Sequence, residues 1–127
     1  MKGKRVLLVD DEVDFTASLR KVLSRRGFEV QEAADGLTAL ARIAKESFDA
    51  IVLDVKMPGM DGIHVLGEIQ RMALQTRVIL LTGHLSLTDE EKGIQEGAFA
   101  YLFKPFPILK LVGIIEAAAA GNAVGES

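Results

Sequence analysis

The sequence predicts an α/β domain built on a doubly wound, five-stranded parallel sheet with helices on both faces. Three observations carry this expectation. Val6-Leu7-Leu8-Val9, Ala50-Ile51-Val52-Leu53 and Val78-Ile79-Leu80-Leu81 are unbroken apolar runs of strand length, as expected of parallel strands covered on both faces. Stretches with helical spacing separate them. The strand-then-helix unit recurs five times along the chain, and right-handed crossovers then place a parallel sheet between two helical layers.

In chain order, the first run is followed by an apolar stripe of Phe15, Leu19, Val22 and Leu23. Residues 28–33 form a weaker strand candidate nearer a sheet edge, and Leu37, Leu40, Ala41 and Ala44 mark a second helix. After the run at 50–53, a third helical stripe comprises Val65, Leu66, Ile69 and Ala73. The run at 78–81 leads into a polar segment, residues 86–96, with Thr88, Asp89, Glu90, Glu91 and Lys92. Its apolar positions are only Leu87, Ile94 and the following Ala98, which predicts the least firmly packed helix. Residues 98–103 are the second weak strand, and Ile108, Leu111, Val112, Ile115 and Ala119 form the last stripe. An alanine-rich stretch then ends at Gly121. The expected organisation is one domain over residues 1–120, with 121–127 a flexible tail or truncated linker.

Composition narrows the chemistry. At 127 residues, 49% hydrophobic and 26% charged, the chain has the size and apolar content of a single compact domain. The absence of cysteine excludes disulfides, thiolate metal sites and a cysteine nucleophile. A net charge of −3 and a pI near 5.4 argue against a broad phosphate-binding surface, so no direct nucleic-acid contact is expected. Four apolar residues separate the basic start from Asp10, Asp11 and Glu12, too few for a signal peptide, and no run approaches the roughly 18 apolar residues of a membrane span. The expectation is a cytoplasmic protein without a membrane segment.

Ligands of doubly wound sheets bind beyond the carboxyl ends of the strands. Asp10 and Asp11 follow the first strand, Asp54 the third, Thr82 the fourth and Lys104 the fifth. Crowded carboxylates raise one another's pKa unless compensated. A hard divalent cation such as Mg²⁺, bound through oxygen ligands, resolves that conflict. Lys104 adds a fixed ammonium and Thr82 a hydroxyl donor. Together these supply what a phosphoryl group requires: a carboxylate nucleophile in Asp54, a metal, and positive and hydrogen-bonding partners for its oxygens. Singly, each residue has a plainer explanation. Asp10, Asp11 and Glu12 suit a helix N-terminus, Asp54 suits the turn before Met57-Pro58-Gly59, and Lys104 suits a solvated loop. Their joint occurrence at four strand ends favours a site.

Over residues 4–120 the sequence resembles the receiver domains of two-component response regulators. The matching segments are Leu8-Val9-Asp10-Asp11-Glu12, Leu53-Asp54 with Met57-Pro58-Gly59-Met60-Asp61-Gly62, Leu81-Thr82-Gly83, and Tyr101-Leu102-Phe103-Lys104-Pro105-Phe106. The resemblance implies a flavodoxin-like (βα)5 fold with strand order 2-1-3-4-5. It implies that Asp54 accepts a phosphoryl group from a phosphohistidine, on a sensor histidine kinase or a phosphotransfer domain. Asp11 and Asp54 would bind Mg²⁺ directly, Asp10 through water, and the backbone carbonyl of Lys56 would complete the protein ligands. Thr82 and Lys104 would grip the phosphoryl oxygens, the Lys104-Pro105 bond would be cis, and Thr82 would couple to Tyr101 as the switch. On this basis the chain is a phosphoacceptor with self-catalysed transfer rather than a turnover enzyme.

Lys56 and His84 fall where family members flank the attacking water, and the long Lys56 side chain predicts slow self-dephosphorylation. Ala100 departs from the acid or amide common before the switch aromatic. On the last helix, Leu109, Ile114 and Ala117 have little polar cover beyond Lys110 and Glu116, suggesting an exposed apolar contact strip. In receivers the face of the fourth helix, fifth strand and fifth helix serves dimerisation or output. Packing against a C-terminal effector domain, or simple tolerance of alanine, accounts for the strip equally well. Rival readings are weaker. A haloacid-dehalogenase-like phosphohydrolase needs an acid where Lys56 stands, and a flavodoxin-like cofactor binder needs a phosphate cradle where Asp10-Asp11-Glu12 would repel one.

Overall fold

The computed structural model describes residues 3–72, 75–83 and 87–121, without the side chain of Leu87. The expectations for Ala73, His84 and the tail at 122–127 lie outside the described residues. Five parallel strands, β1 (Arg5–Val9), β2 (Glu29–Ala33), β3 (Ala50–Asp54), β4 (Arg77–Thr82) and β5 (Ala100–Phe103), pair in the order β2-β1-β3-β4-β5. This is the predicted 2-1-3-4-5 doubly wound sheet. The intervening helices are α1 (Val13–Arg25), α2 (Gly36–Lys45), α3 (Gly62–Met72), α4 (Leu87–Gln95) and α5 (Ile108–Ala119).

The unbroken apolar runs have a direct cause in the two-sided core. Successive strand residues point to opposite faces. Val6, Leu8 and Val52 pack with Leu19 and Leu23 of α1 and Leu111, Val112 and Ile115 of α5. Leu7, Val9, Ile51 and Leu53 pack on the other face with Ala39 and Ile43 of α2 and Leu66 and Ile69 of α3. Neither face of the central strands meets water, so no polar alternation appears.

Three helical details differ from the sequence expectation. The buried positions of α2 are Gly36, Ala39 and Ile43, with Leu40 half-buried, whereas Leu37 is 83% exposed and Ala41 and Ala44 face outward. Close approach at Gly36 sets this rotation: a Cβ there would lie 2.8 Å from Met60 Sδ and 2.9 Å from Val65 Cγ2. Asp35 caps the helix by accepting from the Thr38 N–H at 2.8 Å. On α4, Ile94 is 54% exposed, and the residue against the sheet is Gly93, where a Cβ would lie 2.7 Å from Leu80 Cδ1 and 3.1 Å from Tyr101 Cδ2. Among its described residues α4 buries no apolar side chain, in keeping with its polar sequence. On α5, Leu109 is 67% exposed, but Ile114 and Ala117 are half-buried against the α1/α5 core, so the expected apolar strip shrinks to one residue.

Between β3 and α3 the chain makes a small antiparallel hairpin, Lys56–Met57 with Met60–Asp61, turning at Gly59 with φ of 71°. Gly62 follows against backbone: a Cβ there would lie 2.5 Å from Val55 Cα, and its N–H donates to the Val55 carbonyl at 2.9 Å. This contact locks the loop that leaves Asp54. No helix among the described residues is long and apolar enough to cross a membrane.

Candidate functional site

The carboxyl ends of neighbouring strands bring the predicted side chains together. In the ladder Val9 lies opposite Leu53, Asp54 opposite Leu81, and Thr82 opposite Phe103. Asp10, Asp54, Thr82 and Lys104 therefore emerge at one end of the sheet, from β1, β3, β4 and β5 in turn. Asp10, Asp54 and Thr82 are all buried. The Lys104 N–H donates to the Thr82 carbonyl at 2.7 Å, and the Lys104-Pro105 bond is cis, as the sequence expectation had it.

Lys104 is the hub. Its Nζ donates to Asp10 Oδ2 at 2.7 Å and Glu12 Oε1 at 2.6 Å, lies 3.5 Å from Asp54 Oδ2, and sits 5.0 Å from the centre of the Phe15 ring. The second carboxylate oxygens of Asp10 and Asp54 are held by backbone. Asp10 Oδ1 accepts from the Glu12 N–H at 2.9 Å, and Asp54 Oδ1 from the Lys56 N–H at 3.1 Å. One carboxylate oxygen from each of Asp10, Glu12 and Asp54 lies within 4.8 Å of the others, a grouping that could hold a metal ion. Asp11, the neighbouring acid of the predicted set, is exposed and outside this trio.

Burial raises the Asp54 pKa above the ordinary carboxylate range; the Lys56 N–H bond and the Lys104 charge oppose this, and the Asp10 charge adds to it. Burial alone would lower the pKa of Lys104. Its hydrogen bonds to Asp10 and Glu12, with the charges of Asp10 and Asp54, reverse that effect and hold the ammonium above its ordinary value. A half-buried lysine thus stays charged among three acids.

Tyr101 is buried beneath Gly93, edge-on to Phe103 with ring centroids 5.3 Å apart. Its hydroxyl has no hydrogen-bond partner among the described residues. Burial raises its pKa, and the charges of Asp89, Glu90 and Asp54 add to this. The Lys56 side chain reaches α4, where its Nζ lies 3.2 Å from Asp89 Oδ2.

Sequence reasoning missed two participants. The sequence alone suggests a helix-start acid at Glu12. It occupies the N-cap of α1 but makes no side-chain cap bond, and turns instead to Lys104. Its spacing of two from Asp10 was the available signal. Asp89 looked like one of several acids opening a polar helix, and no local pattern announces its pairing with Lys56. The pocket as a whole offers nucleophilic carboxylates beside a fixed cation, with net negative charge left over.

The chain is 38% identical over 117 residues to the transcriptional regulatory protein TcrA of Mycobacterium tuberculosis, covering 92% of this chain but 46% of that protein. It therefore spans about half the length of such relatives. It is 37% identical to sporulation initiation phosphotransferase F of Bacillus subtilis, covering 85% of this chain and 87% of that protein. The fold superposes with a TM-score of 0.83, at 26% identity, on a response regulator of Burkholderia pseudomallei solved with a phosphorylated aspartic acid, a calcium ion and citrate, covering 93% of this chain and 69% of that one. The family model of the response regulator receiver domain matches residues 6–116, and this chain belongs to that family.

Proposed function

We propose that the chain is a phosphorylation-dependent signalling switch in which Asp54 accepts a phosphoryl group from a phosphohistidine on a sensor histidine kinase or phosphotransfer domain. The observation that carries the proposal is Lys104, whose ammonium bridges Asp10, Glu12 and Asp54 in one pocket. In the transfer, a bond forms between an Asp54 carboxylate oxygen and phosphorus as the phosphorus–nitrogen bond breaks, and the electron pair stays on the histidine nitrogen. Lys104 orients the acceptor carboxylate and then balances charge on the transferred oxygens, while the Lys56 N–H holds the other Asp54 oxygen. The Thr82 hydroxyl donates to a phosphoryl oxygen.

The donor set fits Mg²⁺. Three carboxylates face one ammonium, which leaves negative charge for a divalent cation to balance, and all the candidate ligands are oxygens. Of the gathered acids, Asp10 and Asp54 would hold it, with Glu12 at hand and with Asp11 and the backbone carbonyl of Lys56 as the further ligands we propose; when bound it would supply positive charge to the oxygens of the transferring group.

The added charge of roughly −1.5 to −2 then biases a pre-existing equilibrium, because Thr82 and Lys104 meet the phosphoryl oxygens in only one arrangement. Tyr101, buried and with no partner for its hydroxyl among the described residues, is the residue whose surroundings that shift would change. The face of α4, β5 and α5, with Leu109 at its exposed edge, would pass the change to a second copy or an effector domain. Hydrolysis of the acyl phosphate would be slow, so that the chain holds a signal instead of turning over substrate. The chain has one tyrosine and no tryptophan, so its intrinsic emission reports on Tyr101 alone. Titration with beryllofluoride and Mg²⁺ should give a saturable emission change that is lost in Asp54→Ala. A silent wild type, or an equal response in Asp54→Ala, would overturn the proposal.

A further inference from the structure

Lys56 is tied to Asp54 at one end and to α4 at the other. Its backbone N–H donates to Asp54 Oδ1 at 3.1 Å, and its Nζ lies 3.2 Å from Asp89 Oδ2 in the first turn of α4. The Asp89 side chain is only 17% exposed, which shields the pair from solvent on one side. Asp89 and Gly93 are four residues apart and so share a face of α4, the face that lies over Tyr101. This helix buries no apolar side chain among its described residues, and its C-terminal end is tied down by Gln70 Nε2, which donates to the carbonyls of Glu96 and Gly97 at 3.0 Å each. The Lys56–Asp89 pair ties the opposite end to the loop after Asp54.

From this geometry we infer that Asp89 is a positioning residue that sets the lifetime of the phosphoryl group by competing with it for the Lys56 ammonium. The inference rests on Asp54 being the acceptor. With Asp54 unmodified, the Lys56 ammonium is paired with Asp89. A phosphoryl group on Asp54 places a second and more highly charged anion two residues from Lys56. Each anion gains the ammonium at the other's expense. While Lys56 covers the acyl phosphate it obstructs hydrolysis, in which a water oxygen bonds to phosphorus, the bond from phosphorus to the Asp54 oxygen breaks, and carboxylate, inorganic phosphate and a solvent proton result. Asp89 draws Lys56 away and so shortens the signal. Reciprocally, phosphorylation frees the first turn of α4 from its tie.

The test is the rate of phosphoryl loss after loading with acetyl phosphate and Mg²⁺, compared among wild type, Asp89→Asn, Lys56→Gln and the double variant. Asp89→Asn should lengthen the half-life roughly threefold, the scale that release of a partly exposed ion pair can supply. Lys56→Gln should shorten it, and adding Asp89→Asn to Lys56→Gln should change nothing further. Asp89→Glu, which restores the charge, should return the half-life toward wild type. An Asp89→Asn effect that persists without Lys56, or no effect in the wild-type background, would overturn the inference while leaving Asp54 as the acceptor. Failure of the wild type to load at all would overturn both.

Discussion

Lys104 faces more negative charge than one ammonium can balance, and that imbalance makes its removal costly. Lys104→Met should leave Asp10, Glu12 and Asp54 uncompensated and destabilise the fold by about 1–3 kcal/mol, less than a fully buried pair because Glu12 is exposed. Urea denaturation at neutral pH measures this, and added Mg²⁺ should restore part of the loss. Asp54 works in the opposite sense. Burial raises its pKa in the folded state, so the fold binds the proton more tightly than the unfolded chain does. The cost of its charge is therefore fully present at neutral pH and is relieved as pH falls through the raised value toward the ordinary carboxylate range near 4. Asp54→Asn, which keeps an acceptor for the Lys56 N–H, should raise the midpoint of thermal unfolding at neutral pH, and the gain should shrink on acidification. At this scale Asp10, Asp54, Thr82 and Lys104 were legible because strand ends can be read from apolar runs. The direction of the Glu12 and Lys56 side chains was not, because distant partners in Lys104 and Asp89 set it.

Among the elements, α1, α5 and the described part of α3 followed their apolar stripes, while α2 did not. Leucine and alanine are common on both faces of that helix, and its rotation is set by the contact of Gly36 with Met60 and Val65, which no hydrophobic pattern encodes. Gly93 on α4 is the comparable case. Its missing Cβ makes room for Leu80 and the Tyr101 ring, so a glycine that looks like a helix weakness is a packing requirement. Gly93→Ala gains about 1 kcal/mol in helix propensity but must push Tyr101 or Leu80 aside, at a cost of roughly 1–3 kcal/mol. The expected outcome is a net loss of stability with a change in tyrosine emission, read by denaturant titration followed by fluorescence. The two-residue strands of the hairpin were also invisible in advance, because Met57-Pro58-Gly59 reads only as a turn.

For the whole molecule, the parallel order β2-β1-β3-β4-β5 gathers residues from the start, middle and end of the chain at one end of the sheet. The fold was the most legible feature, because two-sided burial leaves continuous apolar runs that few other architectures produce. The site was legible in its composition and less so in its wiring. The fold supplies a buried carboxylate beside a fixed ammonium, and the account stands on that carboxylate accepting a phosphoryl group. Intact-mass measurement after incubation with acetyl phosphate and Mg²⁺ tests this most directly. The account predicts a gain of one phosphoryl group in the wild type, absent without the divalent cation and absent in Asp54→Ala; an unmodified wild type, or a gain that survives in Asp54→Ala, would contradict it.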